Sequence, residues 1–274
     1  MIVIPIVIIL LAAVYLFLIF PAKPKKEDNL IFAKRSYAHR GFHDNKKGPS
    51  ENTLGAFILA SKYNYGIELD VQLTKDKEVV VFHDSDLIRT SNIDRKILDI
   101  PYEELKGIKV FDRESIPLFS EVLDNVADNI PIIVEIKSEG NRAWVDETCR
   151  LTYEILKEHK GTYCIESFDP FAVGWFKKNA SEMVRGQLSM GRKKYEGTIK
   201  PLTAFLLHNM LLNFISRPHF IAYDHENKSL SMNISKLFSC MMVKWTVKSQ
   251  VRHDELQNSV DGIIFEGYIP KATW

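Results

Sequence analysis

The chain is poor in cysteine, has no surplus of charge and lacks a glycine loop for cradling phosphates. Its three cysteines, Cys149, Cys164 and Cys240, are odd in number and far apart. No CxxC pair occurs, which argues against a disulfide framework and a zinc–thiolate site and leaves three reduced thiols. Lys and Arg total 36 against 35 Asp and Glu, a formal net charge of +1. Nothing therefore points to nucleic acid as a partner, although a few local charges suffice to hold one phosphate. Neither GxGxxG nor GxxxxGK followed by Ser or Thr stands after the first strand-like segment, which weakens a nucleotide-binding open sheet. No internal repeat is visible.

The first twenty residues lack charge altogether. At about 1.5 Å per residue, Met1–Phe20 would extend about 30 Å, the thickness of a bilayer core. The rival reading is a cleaved signal peptide. Against it, no basic n-region precedes the apolar run and no A-x-A site precedes Pro21. The expectation is an uncleaved transmembrane helix over 1–20, a juxtamembrane linker over 21–33 and a soluble domain over 34–274. Lys23, Lys25 and Lys26 follow the run and no Lys or Arg precedes it. The positive-inside rule then puts the soluble domain in the cytoplasm, with the lysines beside anionic lipid.

Strand-like and helix-like segments alternate through the rest. Strands are expected at 36–39, 66–73, 78–83, 130–136, 163–167, 184–188, 220–223, 242–247 and 262–265. A helix capped by Asn52 or Thr53 should run to about Asn64, and another should cover 142–158. Strands separated by helices imply parallel pairing, and about eight units in this length imply an α/β fold, a closed TIM (β/α)₈ barrel. Residues 84–117 fit the alternation poorly and read as a small insertion after the second strand. Residues 201–216 read as a barrel helix, with a membrane-touching face as the other reading. The run is short for a second span and carries His208, Asn209 and Asn213.

Side chains two apart in a strand share a face. In Gly66–Leu73, Glu68, Asp70 and Gln72 therefore point one way and Ile67, Leu69 and Val71 the other. With the apolar set under the helices, two carboxylates face the barrel axis, where burying them uncompensated is costly. A hard divalent cation with oxygen ligands removes that cost. Glu135 and Lys137 share a face in the same way, so Glu135 offers a third carboxylate and Lys137 a charge for a phosphate oxygen. His39 and His83 each stand where a strand gives way to a loop, the end where such barrels build their sites. Cleaving a phosphodiester needs charge neutralised on the non-bridging oxygens, a base and an acid. The metal and Arg40 meet the first need, and His39 and His83 are the natural acid–base pair.

Taken together, these residues resemble the glycerophosphodiester phosphodiesterase family. The matching motifs are His39-Arg40-Gly41, Glu51-Asn52-Thr53, Glu68-Leu69-Asp70, Leu73-Thr74-Lys75-Asp76 and His83-Asp84. Val134-Glu135-Ile136-Lys137, Ser167-Phe168-Asp169-Pro170, Trp245-Thr246-Val247 and Asp261-Gly262-Ile263-Ile264 follow in family order. The resemblance implies Ca²⁺ or Mg²⁺ on Glu68, Asp70 and Glu135, acid–base roles for His39 and His83, and substrate contacts from Arg40, Lys137 and Trp245. It implies cleavage of glycerophosphodiesters to glycerol 3-phosphate and an alcohol. Two positions depart from the pattern: Phe265-Glu266 replaces the usual Thr-Asp, and Lys248 stands where Asn is frequent. Rival readings are lysophospholipase D action on lysophospholipid, a phosphoinositide-type phospholipase, and an inactive barrel serving as a membrane-tethered binding module. The last should have lost site residues, and none is missing. Oligomeric state is not legible.

Overall fold

A computed structural model describes residues 3–32 and 35–271. The ends of the expected segments, at residues 1–2, 33–34 and 272–274, lie outside the described residues. Eight parallel strands close into a ring: β1 (Ser36–Ala38), β2 (Gly66–Leu73), β3 (Ile132–Ile136), β4 (Tyr163–Ser167), β5 (Val184–Ser189), β6 (Phe220–Asp224), β7 (Met241–Val247) and β8 (Gly262–Phe265). Closure comes from β1, which pairs with both β8 and β2. The alternation in β2 has the expected effect. Ile67, Leu69 and Val71 join the apolar layer beneath the helices, which also holds Phe57, Val145 and Phe176. Glu68, Asp70 and Gln72 are left for the interior. The helix Arg142–Glu158 starts where Asn141 accepts a hydrogen bond from the Trp144 amide at 3.1 Å.

The segment expected as a strand over 78–83 is not a stave. Val79–Val81 pairs antiparallel to the far end of β2, with Val71 opposite Val81. β2 is long enough to outrun the ring, and this arm folds back along its overhang. The arm leads into two short hairpins, Asp86–Leu87 with Ile93–Lys96 and Lys109–Val110 with Glu114–Ser115. They enclose a small core of their own that includes Leu87, Ile97, Leu105 and Val110.

Within the described residues the N-terminal helix falls short of a span. It covers Val3–Ile19, and among the described residues no helix is long and apolar enough to cross a membrane. Nor is all of it free to enter a bilayer, because its last turn packs on the barrel. Ile19 is buried, its carbonyl accepts from Ser235 Oγ, and Arg217 donates to the Phe17 and Phe20 carbonyls. The connector then passes beneath the N-terminal ends of the strands, where the Ala22 amide donates to the Pro218 carbonyl. Phe32 plugs that end. It packs edge-on to Phe220 with ring centres 4.9 Å apart, and a side chain at Gly262 would meet it. Burying such a ring contributes on the order of 2 kcal/mol. Lys25, one of the three lysines expected beside the bilayer, lies at this end of the barrel near His219 and Glu182.

Residues 201–216 are not one barrel helix. Pro201–His208 and Asn213–Ser216 are separate, broken at Met210, whose φ is +57°. The first piece lies over the C-terminal ends of the strands and the second packs on Pro170–Asn179.

Candidate active site

At the C-terminal end of the barrel a cleft of about 430 Å³ is lined by His39, Arg40, Glu68, His83, Glu135 and Trp245, among others. Asp70 and Lys137 complete its floor. All eight residues expected from the sequence therefore converge.

Glu68 and Asp70 come from β2 and Glu135 from β3, where Asp70 and Glu135 are register partners. One oxygen of each of the three lies within 4.8 Å of the others, and all three side chains are buried. Burial, then the charges of Asp70, Glu135 and Glu166, push Glu68 well above the usual carboxylate range. Burial also raises Glu135, against the pull of Lys137. Asp70 is held low: burial opposes ionisation, but Lys137, His83 and Arg40 outweigh it. Lys137 Nζ sits 2.8 Å from Glu135 and 3.4 Å from Asp70, and these carboxylates keep it charged despite burial. Asp70 Oδ1 is buried and accepts no hydrogen bond, its neighbour Lys137 Nζ standing off at 3.4 Å. An all-oxygen set with a buried carboxylate oxygen free of hydrogen bonds and mutual repulsion fits a hard divalent cation.

Each histidine is held through Nδ1 by a carboxylate. His39 Nδ1 lies 2.6 Å from Glu266 Oε2, and His83 Nδ1 lies 2.6 Å from Asp84 Oδ1. His39 Nε2 faces Glu68 at 3.9 Å. Burial lowers the His39 pKa, and the Glu266 hydrogen bond restores only part of the loss. Gln72 pins the second histidine's loop by donating to the Phe82 and Asp84 carbonyls, each at 2.8 Å. Arg40 sits at φ +55° and Gly41 at φ +81°. This left-handed turn aims the Arg40 amide at Glu68 Oε2, 3.0 Å away. A Cβ on Gly41 would lie 2.8 Å from that of Ala56, so only glycine fits.

Several working groups were given no site role by the sequence. Glu51 accepts from Arg40, Arg89 and Asn45 at 2.6 Å each. Burial opposes its ionisation, but the arginines prevail and hold its pKa at about 2. Asn52 donates to Asp70 Oδ2 at 2.8 Å. The motif Glu51-Asn52-Thr53 thus orients site groups, and the helix it opens is Leu54–Lys62, shorter than expected. Thr53 stands at the cap but its hydroxyl serves the Ser50 carbonyl; Glu114, lent by the insertion, accepts from the Gly55 amide instead. Arg89, also from the insertion, bridges Glu51 and Asp84. Glu166 on β4 is register partner to Glu135 and buried, with Oε2 unpartnered. Alternation in Cys164-Ile165-Glu166 could have flagged it as inward-facing. The cleft's other wall is apolar, with Phe168 edge-on to Trp245 at 5.5 Å, and Leu188 and Ile264 nearby.

An acidic triad beside two carboxylate-held histidines and two cations, at the mouth of a (β/α)₈ barrel, defines a hydrolase of phosphoric diesters. The family model of glycerophosphoryl diester phosphodiesterases matches residues 39–266, and the chain belongs to that family. A glycerophosphodiester phosphodiesterase from Caldanaerobacter subterraneus is 32% identical over 245 residues, covering 83% of this chain and 91% of that protein. A lysophospholipase D from Homo sapiens is 31% identical over 159 residues, about half of each chain. Among solved structures, an Oleispira antarctica phosphodiesterase in complex with the product sn-glycerol-3-phosphate has a TM-score of 0.70 at 22% identity, covering 86% of this chain and 94% of that one. A Thermotoga maritima glycerophosphodiester phosphodiesterase has a TM-score of 0.63 at 26% identity, covering 84% and 93%.

Proposed function

We propose that the chain hydrolyses small glycerophosphodiesters to glycerol 3-phosphate and an alcohol. The observation that carries this is the convergence of His39, His83, Arg40, Lys137 and the triad Glu68, Asp70 and Glu135 in one cleft. Glu68, Asp70 and Glu135 would hold the cation, Ca²⁺ or Mg²⁺. When bound it neutralises charge developing on the phosphoryl oxygens. Arg40 and Lys137 add fixed positive charge on the same side. Their own carboxylate partners hold them in place, so little reorganisation accompanies reaction.

The carboxylates at Nδ1 leave Nε2 of each histidine to exchange protons with substrate. A glycerol hydroxyl attacks phosphorus and loses its proton to one imidazole. The bond from phosphorus to the alcohol oxygen breaks, and that oxygen takes a proton from the other imidazole. Water then opens the resulting cyclic phosphate with the two roles exchanged. The apolar wall of Phe168, Leu188, Trp245 and Ile264 favours a second substrate, lysophospholipid, whose chain would lie along it. Assays of glycerophosphocholine, glycerophosphoethanolamine and lysophosphatidylcholine decide between them. Turnover of the lipid alone would overturn the small-substrate reading.

We also propose membrane association through residues 1–20, with 21–33 as connector and 34–274 as the catalytic unit, 84–117 being its insertion. The support is a helix of seventeen residues without a single charge, of which Val3 to Val14 are exposed. A cytoplasmic location is proposed on composition alone: no Lys or Arg precedes the helix, and Lys23, Lys25 and Lys26 follow it. A reporter fused after Trp274 tests it, and an extracytoplasmic signal would reverse the assignment.

A further inference from the structure

The helix Val3–Ile19 runs beside Leu230–Leu237 in the same direction. The Tyr15 and Ser231 hydroxyls are 2.8 Å apart, the Ile19 carbonyl accepts from Ser235 at 3.3 Å, and the rings of Phe20 and Phe238 lie 4.7 Å apart. Leu230–Leu237 leaves the C-terminal end of β6 and returns to the N-terminal end of β7, so it descends from the mouth of the barrel to its base. Val3–Ile19 descends with it, and its earlier residues therefore rise past the mouth. Val3 to Val14 are all exposed and all apolar. At 1.5 Å per residue they reach about 18 Å, close to half of a roughly 30 Å bilayer core.

A second apolar group surrounds the same opening. Leu202 is 69% exposed and Leu230 68%, with Ile199 and Phe205 also exposed. Beneath them Ala204, Leu207 and Tyr195 pack with Phe168, which lines the cleft. Arg192, Lys193 and Lys200 stand exposed in the same segment. An apolar rod, an apolar rim and unpaired cations at one end match an anionic lipid surface: the apolar groups enter and the cations meet headgroups.

We propose that the mouth of the catalytic cleft is a lipid-docking face, with Val3–Val14 buried in one leaflet and Ile199, Leu202, Phe205 and Leu230 seated at headgroup level. The cleft then opens onto the membrane, and substrate arrives from its surface. Only the identity of the opening as catalytic rests on the proposed hydrolase activity.

The test uses the full chain with phosphatidylcholine vesicles, with and without phosphatidylglycerol. The wild type floats with vesicles, more so when phosphatidylglycerol is present. L202E/F205E loses at least about fivefold in partitioning and keeps wild-type turnover of glycerophosphocholine. An environment-sensitive dye on Leu202→Cys shifts blue with vesicles, while the same dye on Lys25→Cys at the base does not; the native cysteines are buried. A shift at position 25 and none at 202 would overturn the proposal. So would unchanged partitioning of L202E/F205E, or a chain that ignores vesicles and forms a dimer which L202E/F205E splits. A chain that docks but releases no glycerol 3-phosphate defeats the hydrolase reading alone. An active chain that stays off vesicles defeats the docking alone.

Discussion

Glu266 Oε2 holds His39 Nδ1 at 2.6 Å, and Lys248 Nζ lies 3.3 Å from the other oxygen of the same carboxylate. Two of the three residues that depart from the pattern the sequence resembles, Glu266 and Lys248, are therefore partners, and they meet at a proposed catalytic histidine. Glu266 keeps a carboxylate where the pattern has Asp. Its own pKa is depressed: burial opposes ionisation, but the His39 hydrogen bond and charge prevail.

Glu266→Gln should lower kcat about a hundredfold by freeing the imidazole from its orientation. Glu266 raises the His39 pKa, so its loss lowers that value further. With His39 as the base of the first step, the acid limb of kcat/KM should then move to lower pH. A pH profile whose acid limb stays put or moves up would show that Glu266 does not act through His39.

His39→Ala and His83→Ala should each cost on the order of 10²–10⁴ in turnover, the usual worth of a positioned acid or base. Neither ring sits in the apolar layer, so thermal melts should stay near wild type. Glycerol 3-phosphate release measures the first quantity. Near-normal release by either variant removes that histidine from the reaction.

Excess EDTA should abolish activity, and Ca²⁺ or Mg²⁺ should restore it. Chelation should also lower the melting temperature, because Glu68, Asp70 and Glu135 then crowd together uncompensated. Full turnover in EDTA would eliminate the metal role. Comparing the two ions in the add-back identifies which one serves.

Glu51 links acid stability to the site. Its folded pKa of about 2 lies below the 4.5 of a free glutamate. A depressed carboxylate contributes stability that is present above the unfolded value and lost as pH falls toward the folded one. The shift corresponds to about 3 kcal/mol, lost between roughly pH 5 and 2. Glu51→Gln should therefore be less stable than wild type at pH 6, with the gap roughly halved or better at pH 3 and closing toward pH 2. Denaturant melts at the two values check this, and a gap that is constant with pH would refute it.

Much of the fold could be read from local pattern because each stave is short, apolar on one face and bounded by turns. Arg142–Glu158, Tyr163–Ser167 and Gly262–Phe265 lie where periodicity put them. The arm Val79–Val81 was misread as a stave because alternation is the same for parallel and antiparallel pairing. The apolar run at 201–216 was misread as one helix because hydrophobicity does not reveal a left-handed residue such as Met210.

The amino-acid sequence alone determined the chemistry of this protein. Two-residue alternation decided which carboxylates point inward, and the order of the motifs decided the family. Only the tertiary structure decided what orients that chemistry. Glu51, Asn52, Asp84, Arg89 and Glu266 act through contacts between segments far apart in the chain or around turns, and no spacing rule encodes those. The same is true of the N-terminal helix. Its composition spoke of a membrane, but whether all of it could enter one depended on how much the barrel claimed. Packing against Leu230–Leu237 claimed Tyr15–Ile19 and set the direction in which the rest extends.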